Sequence, residues 1–364
     1  MKISVNLVIG LFVGLLIVIN GNLISSNIAS AVLIHDNPVS SNIVYGEGLS
    51  LESLFRNNYY MDNSETKLFV DDRNSSAEKE KNYDKYVVLM FDRGYKNIIT
   101  TAKPILDKYG FKASIFIACD YIESAKGMNW DEVRQLYLDG YDIQSHGSEH
   151  KRLTDVQSYD EIASIVSGGK ECLEEHGFSP TVFQAPYNKG GDDPVIVDTI
   201  SKYFDLAFTG HSELMFLNCD GWENFGYDEK NYYGTTNCNP YFSDGSVTPT
   251  NKFGIKEWSH DREHSRINEK FKEEPHSPEV SQLLFDKFVQ VVNDQSLFNK
   301  QGAINAIPII GYHEIKTDDS VSTSPELFEL EIEYLYENGF QVLTMDDLGY
   351  DEYQERFQIK NINA

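Results

Sequence analysis

Short strand-like runs and helix patterns alternate along most of this chain, and that alternation is what most limits its fold. The runs are Tyr86–Phe91, Ala113–Ala118, Tyr141–Ser145, Thr181–Gln184, Asp205–Phe208, Ala306–Ile310 and Phe340–Leu343. Between them lie helix patterns with recognisable stops and starts. Ile98–Tyr109 ends at Gly110, and Pro104 predicts that its first turn is irregular or that the helix starts later. Asn129 opens a helix to Leu138 with Glu132 completing a capping box, and Ser158–His176 repeats the device with Glu161. Pro194–Tyr203, Pro278–Asn293 and Pro325–Asn338 each begin on a proline. Repeated βα units dictate a parallel sheet covered by helices, either a closed barrel or an open sheet. From His211 to His276 the chain is aromatic and rich in Gly and Asn, and no element is assigned there.

The first run reads YVVLMF with no helical spacing, the pattern of a strand buried on both faces, and stops at Asp92, Arg93 and Gly94. A carboxylate at the C-terminal mouth of a buried strand stands where α/β folds place their chemistry. The run Tyr141–Ser145 ends in His146, and His150 follows four residues later. If the chain turns helical there, both imidazoles share one face within reach of one ion. Such a pair is common by chance. An acid and a His pair at the ends of two strands together point to a metal-assisted site.

At 364 residues the chain accommodates one large α/β domain with extensions, and a net charge of −26 argues against a nucleic-acid partner. Lys2, the apolar run Leu7–Ile19 and Ala29-Ser30-Ala31 have the layout of a secretory signal, with an uncleaved membrane anchor as the alternative. Residues 1–31 are therefore read as a signal peptide, 32–82 as a polar linker, 83–349 as the folded domain and 350–364 as a C-terminal extension. Four cysteines in an exported chain allow two disulfides. Cys219–Cys238 is the first expectation, with Cys119 and Cys172 pairing or staying buried.

With Gly311-Tyr312-His313 closing a late strand, the chain resembles the polysaccharide deacetylases, the NodB-homology group of carbohydrate esterase family four. The matches are Met90-Phe91-Asp92-Arg93-Gly94, His146-Gly147-Ser148-Glu149-His150, Gln184-Ala185-Pro186-Tyr187-Asn188, an Asp-Trp pair at Asp220 and Trp222, and Ile310 to His313. The resemblance implies a distorted (β/α) barrel with seven to eight strands. It implies an extracellular or cell-envelope hydrolase that removes N-acetyl groups from amino-sugar glycans with Zn²⁺ or a similar divalent cation. It nominates Asp92 as base, the backbone N–H of Tyr187 for the oxyanion, His313 as acid, and His146 and His150 as metal ligands. Two departures stand out. Arg93 occupies the place of a metal-binding acid, and a guanidinium has no lone pair to offer. Gln184 replaces the arginine that steadies the base. Arg93 is expected to pair with Asp92 or another acid of the cleft, because an unpaired buried guanidinium is costly. Three outcomes stay open: an ion resting on His146 and His150, Arg93 standing in for the ion, or a non-catalytic glycan-binding cleft. A hydrolase acting on a non-sugar amide is a further reading.

Overall fold

Val87, Leu89 and Phe91 project to one side of the first strand and Tyr86, Val88 and Met90 to the other, and none is more than 2% exposed. Burial on both faces follows from a strand enclosed in a barrel under a coat of helices. The computed structural model describes residues 17–19, 22–24, 85–218, 249–263, 275–299, 302–317 and 321–360. The chain forms two units, residues 1–77 and 78–364. In the first, Ile17–Ile19 pairs antiparallel with Asn22–Ile24. The expected signal peptide and linker lie almost wholly outside the described residues, as do Cys219, Cys238, Asp220 and Trp222. Among the described residues no helix is long and apolar enough to cross a membrane.

The second unit is a parallel barrel. Its strands are β1 Tyr86–Arg93, β2 Ser114–Ile117, β3 Asp142–Ser145, β4 Val182–Gln184, β5 Leu206–His211, β6 Ile255–Ser259 and β7 Ile309–Tyr312. They pair in chain order, and β7 returns to β1 with Gly311 opposite Met90, which closes a ring of seven. An eighth strand, β8 Gln341–Leu343, lies parallel to the start of β1. The helices are α1 Lys103–Tyr109, α2 Trp130–Leu138, α3 Tyr159–Glu175, α4 Pro194–Ser201, α5 Pro278–Asp294 and α6 Pro325–Glu337. A wide π-type turn at Ile98–Ala102 precedes α1, the irregular first turn that Pro104 predicts. The Asn129–Glu132 capping box forms as read, with bonds of 2.8 and 2.9 Å.

Two apolar layers separate inside from outside. Tyr86, Val88, Met90, Phe116, Val182, Phe208, Ile255 and Ile309 fill the barrel. Val87, Leu89, Phe91, Trp258, Ile310 and Tyr312 pack outward against residues of the helices, among them Leu106, Phe288, Phe328 and Ile332. Full burial of each such side chain contributes roughly 1.5–3 kcal/mol. Residues 348–359, partly within the expected C-terminal extension, form a hairpin of Leu348–Asp351 with Arg356–Ile359. Cys119 and Cys172 are joined in a disulfide.

Candidate active site

The strand ends carry the polar groups. Asp92 continues the inward series of Tyr86, Val88 and Met90, and is buried at the barrel mouth. His313 follows β7, directly beyond the β1 pairing of Tyr312 with Phe91, and its Nε2 lies 3.5 Å from Asp92 Oδ2. On its other side His313 Nδ1 stands 3.4 Å from Asp261 Oδ2, and the His313 backbone N–H donates to the same carboxylate. The imidazole is thus set between two acids.

Asp261 is fully buried, and burial alone would raise its pKa. Hydrogen bonds with His260 and His313 instead hold it well below the usual carboxylate range. Thr323 Oγ1 also donates to it. Behind it His260 Nε2 meets Glu331 Oε1 at 2.6 Å, and Tyr312 Oη donates to Glu331 Oε2 at 2.8 Å. Burial would push the His260 pKa down, but Glu331 and Asp261 carry it up to about 10. A chain of buried charges therefore anchors Asp261, and with it His313, to helix α6.

Across the mouth sit the two histidines. His146 Nδ1 donates to the Gln184 carbonyl at 2.9 Å, which leaves the lone pair on Nε2, and that buried nitrogen has no partner. The His146 and His150 ring centroids are 4.9 Å apart. Burial first, then the charge of His150 and of Arg93, depresses His146 well below its ordinary pKa. Burial, Arg93 and His313 together lower His150 to about 3. Both imidazoles are neutral. The expected helical turn is absent: residues 146–150 form a loop bent by Gly147 at φ +92°. A Cβ on Gly169 of α3 would come within 2.6 Å of the Gly147 backbone, so the loop lies flat on α3 and closes the rings together without a helix. The adjoining Cys119 and Asp120 N–H groups bond to the carbonyls of Gly147 and Ser148, and the disulfide ties this region to α3.

Arg93 does not partner Asp92. Its backbone turns left-handed at φ +67°. Its Nη1 donates to Tyr95 Oη at 3.0 Å, and among the described residues it makes no ion pair. Its charge nevertheless reaches both histidines. The amide of Gln184 is fully buried without a hydrogen-bond partner. Tyr187 and Asn188 both take left-handed backbones, φ +65° and +49°, of the kind that collects at functional sites. The Tyr187 ring packs 4.8 Å from His150, which places this turn at the mouth.

The donor set fits a catalytic zinc ion only in part. Such sites use three protein ligands. His146 and His150 offer neutral nitrogens, His146 with a carbonyl behind the ring as metal-binding imidazoles have. Among the described residues no third His, Cys, Asp or Glu joins them. Position 93 holds a cation instead. By themselves these residues do not complete the site.

Asp261, Glu257, His211 and Asn188 were not legible as site residues. All but Asn188 come from the 211–276 stretch, where Glu257 breaks the apolar alternation that marks a strand. The run Ile255-Lys256-Glu257-Trp258, with an apolar residue at each end, was the available signal.

The polysaccharide deacetylase family model matches residues 79–201, which hold Asp92, His146, His150, Gln184 and Tyr187. Over that segment the chain is similar to the polysaccharide deacetylases. A stretch of 90 residues, 24% of this chain, is 32% identical to YxkH of Bacillus subtilis (strain 168), a protein of polysaccharide deacetylase type, and spans about a third of that relative (32%). Among solved structures the chain is similar to a family 4 acetyl xylan esterase from Clostridium thermocellum in complex with a cobalt ion. Identity there is 16% and the TM-score 0.43, over 72% of this chain and 89% of that one. The peptidoglycan deacetylase PdaC from Bacillus subtilis gives 16% and 0.40 over the same shares of 72% and 89%.

Proposed function

We propose that this deacetylase homologue hydrolyses N-acetyl groups on amino-sugar glycans. The observation that carries the reading is the His313 ring set between Asp92 and Asp261 at the barrel mouth. Amide hydrolysis needs a base to take a proton from water and an acid to protonate the departing nitrogen. Asp92 accepts the proton as the water oxygen adds to the acetyl carbon. The oxyanion that forms is met by the backbone amide at Tyr187. His313 then gives its proton to nitrogen, the C–N bond breaks, and acetate and a free amine leave. Asp261 holds the ring for that step and meets the charge it carries. His146 and His150 are the donors this chain offers a divalent cation of the zinc kind, and no step here passes through one.

The test is acetate release from N-acetylglucosamine oligomers by wild type, Asp92→Asn and His313→Ala. Wild type should release acetate, and both variants should lose about two to four orders of magnitude in rate. Equal rates in all three would overturn the assignment. Arg93 in place of a third donor favours a second reading, a glycan-binding protein on the same barrel. It predicts retention on an acetylated glycan column with no acetate released. The Cys119–Cys172 disulfide and the apolar Leu7–Ile19 run support a site of action outside the cytoplasm.

A further inference from the structure

Glu257 lies inside the barrel and is 1% exposed. It projects inward with Ile255 from β6, where it pairs in register with His211. A register shift between Phe208 and Gly210 in β5 brings His211 to that level, and His211 Nδ1 lies 3.8 Å from Glu257 Oε1. Asn188 Nδ2 donates to Oε1 at 2.5 Å. Oε2 has no hydrogen-bond partner and leans on Gly311, where a Cβ would come within 1.9 Å of it. Only glycine leaves room for that carboxyl. Gly311 pairs with Met90, and Asp92 is the next inward residue on β1. Asp92 Oδ1 is also buried without a partner. Each of the two carboxyls thus keeps one buried oxygen without a hydrogen-bond partner, on inward residues of β6 and β1.

Asp92 is without a cationic partner at the two positions expected to supply one, since Gln184 is neutral and Arg93 donates to Tyr95. We propose that Glu257 is a positioning residue of the site, a carboxyl that shares one proton with Asp92 and so holds the base in place. Two carboxylates in one dry interior cannot both ionise without a large penalty. Burial first, then the charge of Asp92, pushes Glu257 well above the usual carboxylate range, so the proton resides there. The other charged or titratable groups acting on Glu257 are Arg262, which opposes the shift, Asp261, which adds to it, and His211. When rising pH removes the shared proton, repulsion displaces both carboxyls and activity falls.

This inference rests on Asp92 as the base, and its test separates the two. Acetate release is followed against pH in wild type, E257Q and E257A, with melting curves as the folding control. E257A should lose about tenfold or more in kcat at neutral pH, and E257Q, which keeps a neutral hydrogen-bonding head group, should recover a clear part of that loss. The alkaline limb due to Glu257 should vanish in E257Q. Infrared difference spectra of wild type against E257Q, which need no turnover, should show a carboxylic-acid carbonyl band at neutral pH. In Asp92→Asn protein that band should titrate at lower pH. If wild type lacks the band, or E257Q keeps the alkaline limb unchanged, the shared proton is overturned. A wild type that shows the band and its dependence on Asp92 but releases no acetate overturns the hydrolase reading alone.

Discussion

Arg93→Asp should convert the neutral histidine pair into a metal site. His150 is lowered from 6.5 to about 3 by burial first, and then by the charges of Arg93 and His313. A unit charge about 10 Å away opposes another by roughly 1.7 kcal/mol at an effective dielectric of about 20. An ion bound there uses the same lone pair as the proton, so a divalent ion meets about twice that repulsion, near 3 kcal/mol. Solvent at the mouth and added salt reduce the figure. Removing the charge with Arg93→Gln should therefore tighten zinc by up to about a hundredfold, and Arg93→Asp, which adds a third donor, by about tenfold more. The backbone admits the change: position 93 sits at φ +67°, a conformation that Asp tolerates better than most residues. Calorimetric zinc titration of metal-free wild type, Arg93→Gln and Arg93→Asp measures the series. Turnover should recover less than binding in Arg93→Asp, and more when Gln184→Arg is added. If Arg93→Gln leaves the affinity unchanged, or wild type binds as tightly as Arg93→Asp, the electrostatic account of position 93 is wrong.

Asp261→Asn should lower kcat by roughly two orders of magnitude with a smaller change in KM, because Asp261 acts through His313 and not on substrate; steady-state kinetics on acetylated oligomers decide it. Reducing the Cys119–Cys172 bridge, which spans a sequence separation of 53, should cost about 4 kcal/mol by loop-closure entropy, read as a shift in urea midpoint with and without reductant. Asp142 provides a pH test. Burial raises its pKa from 3.8 to about 6, so the folded state holds its proton more tightly than the unfolded one. Its contribution is full below 3.8 and fades as pH rises through about 6, up to about 3 kcal/mol in all. Asp142→Asn should flatten wild-type stability over that window, and a variant that still weakens there would exclude Asp142 as the cause.

Local pattern determined much of this protein. Apolar runs of strand length and capped helices state repeated βα units and a parallel sheet outright, because both signals depend on neighbours a few residues away. Asp92, His146 and His313 were legible for the same reason, each standing where an apolar run ends. Which way a side chain faces beyond a strand end was decided only by the tertiary structure. A left-handed turn leaves Arg93 bonded to Tyr95 and not to Asp92, and packing on α3, not a helix, joins His146 to His150. The partners of the candidate site residues were also beyond local reading. Asp261 meets His313 across 52 residues of sequence, and Asn188 meets Glu257 across 69. A polar strand such as β6 has no hydrophobic period to announce it, because its inward residue Glu257 is ionisable and not apolar. Only closure of the barrel brings that residue into an interior it shares with Asp92.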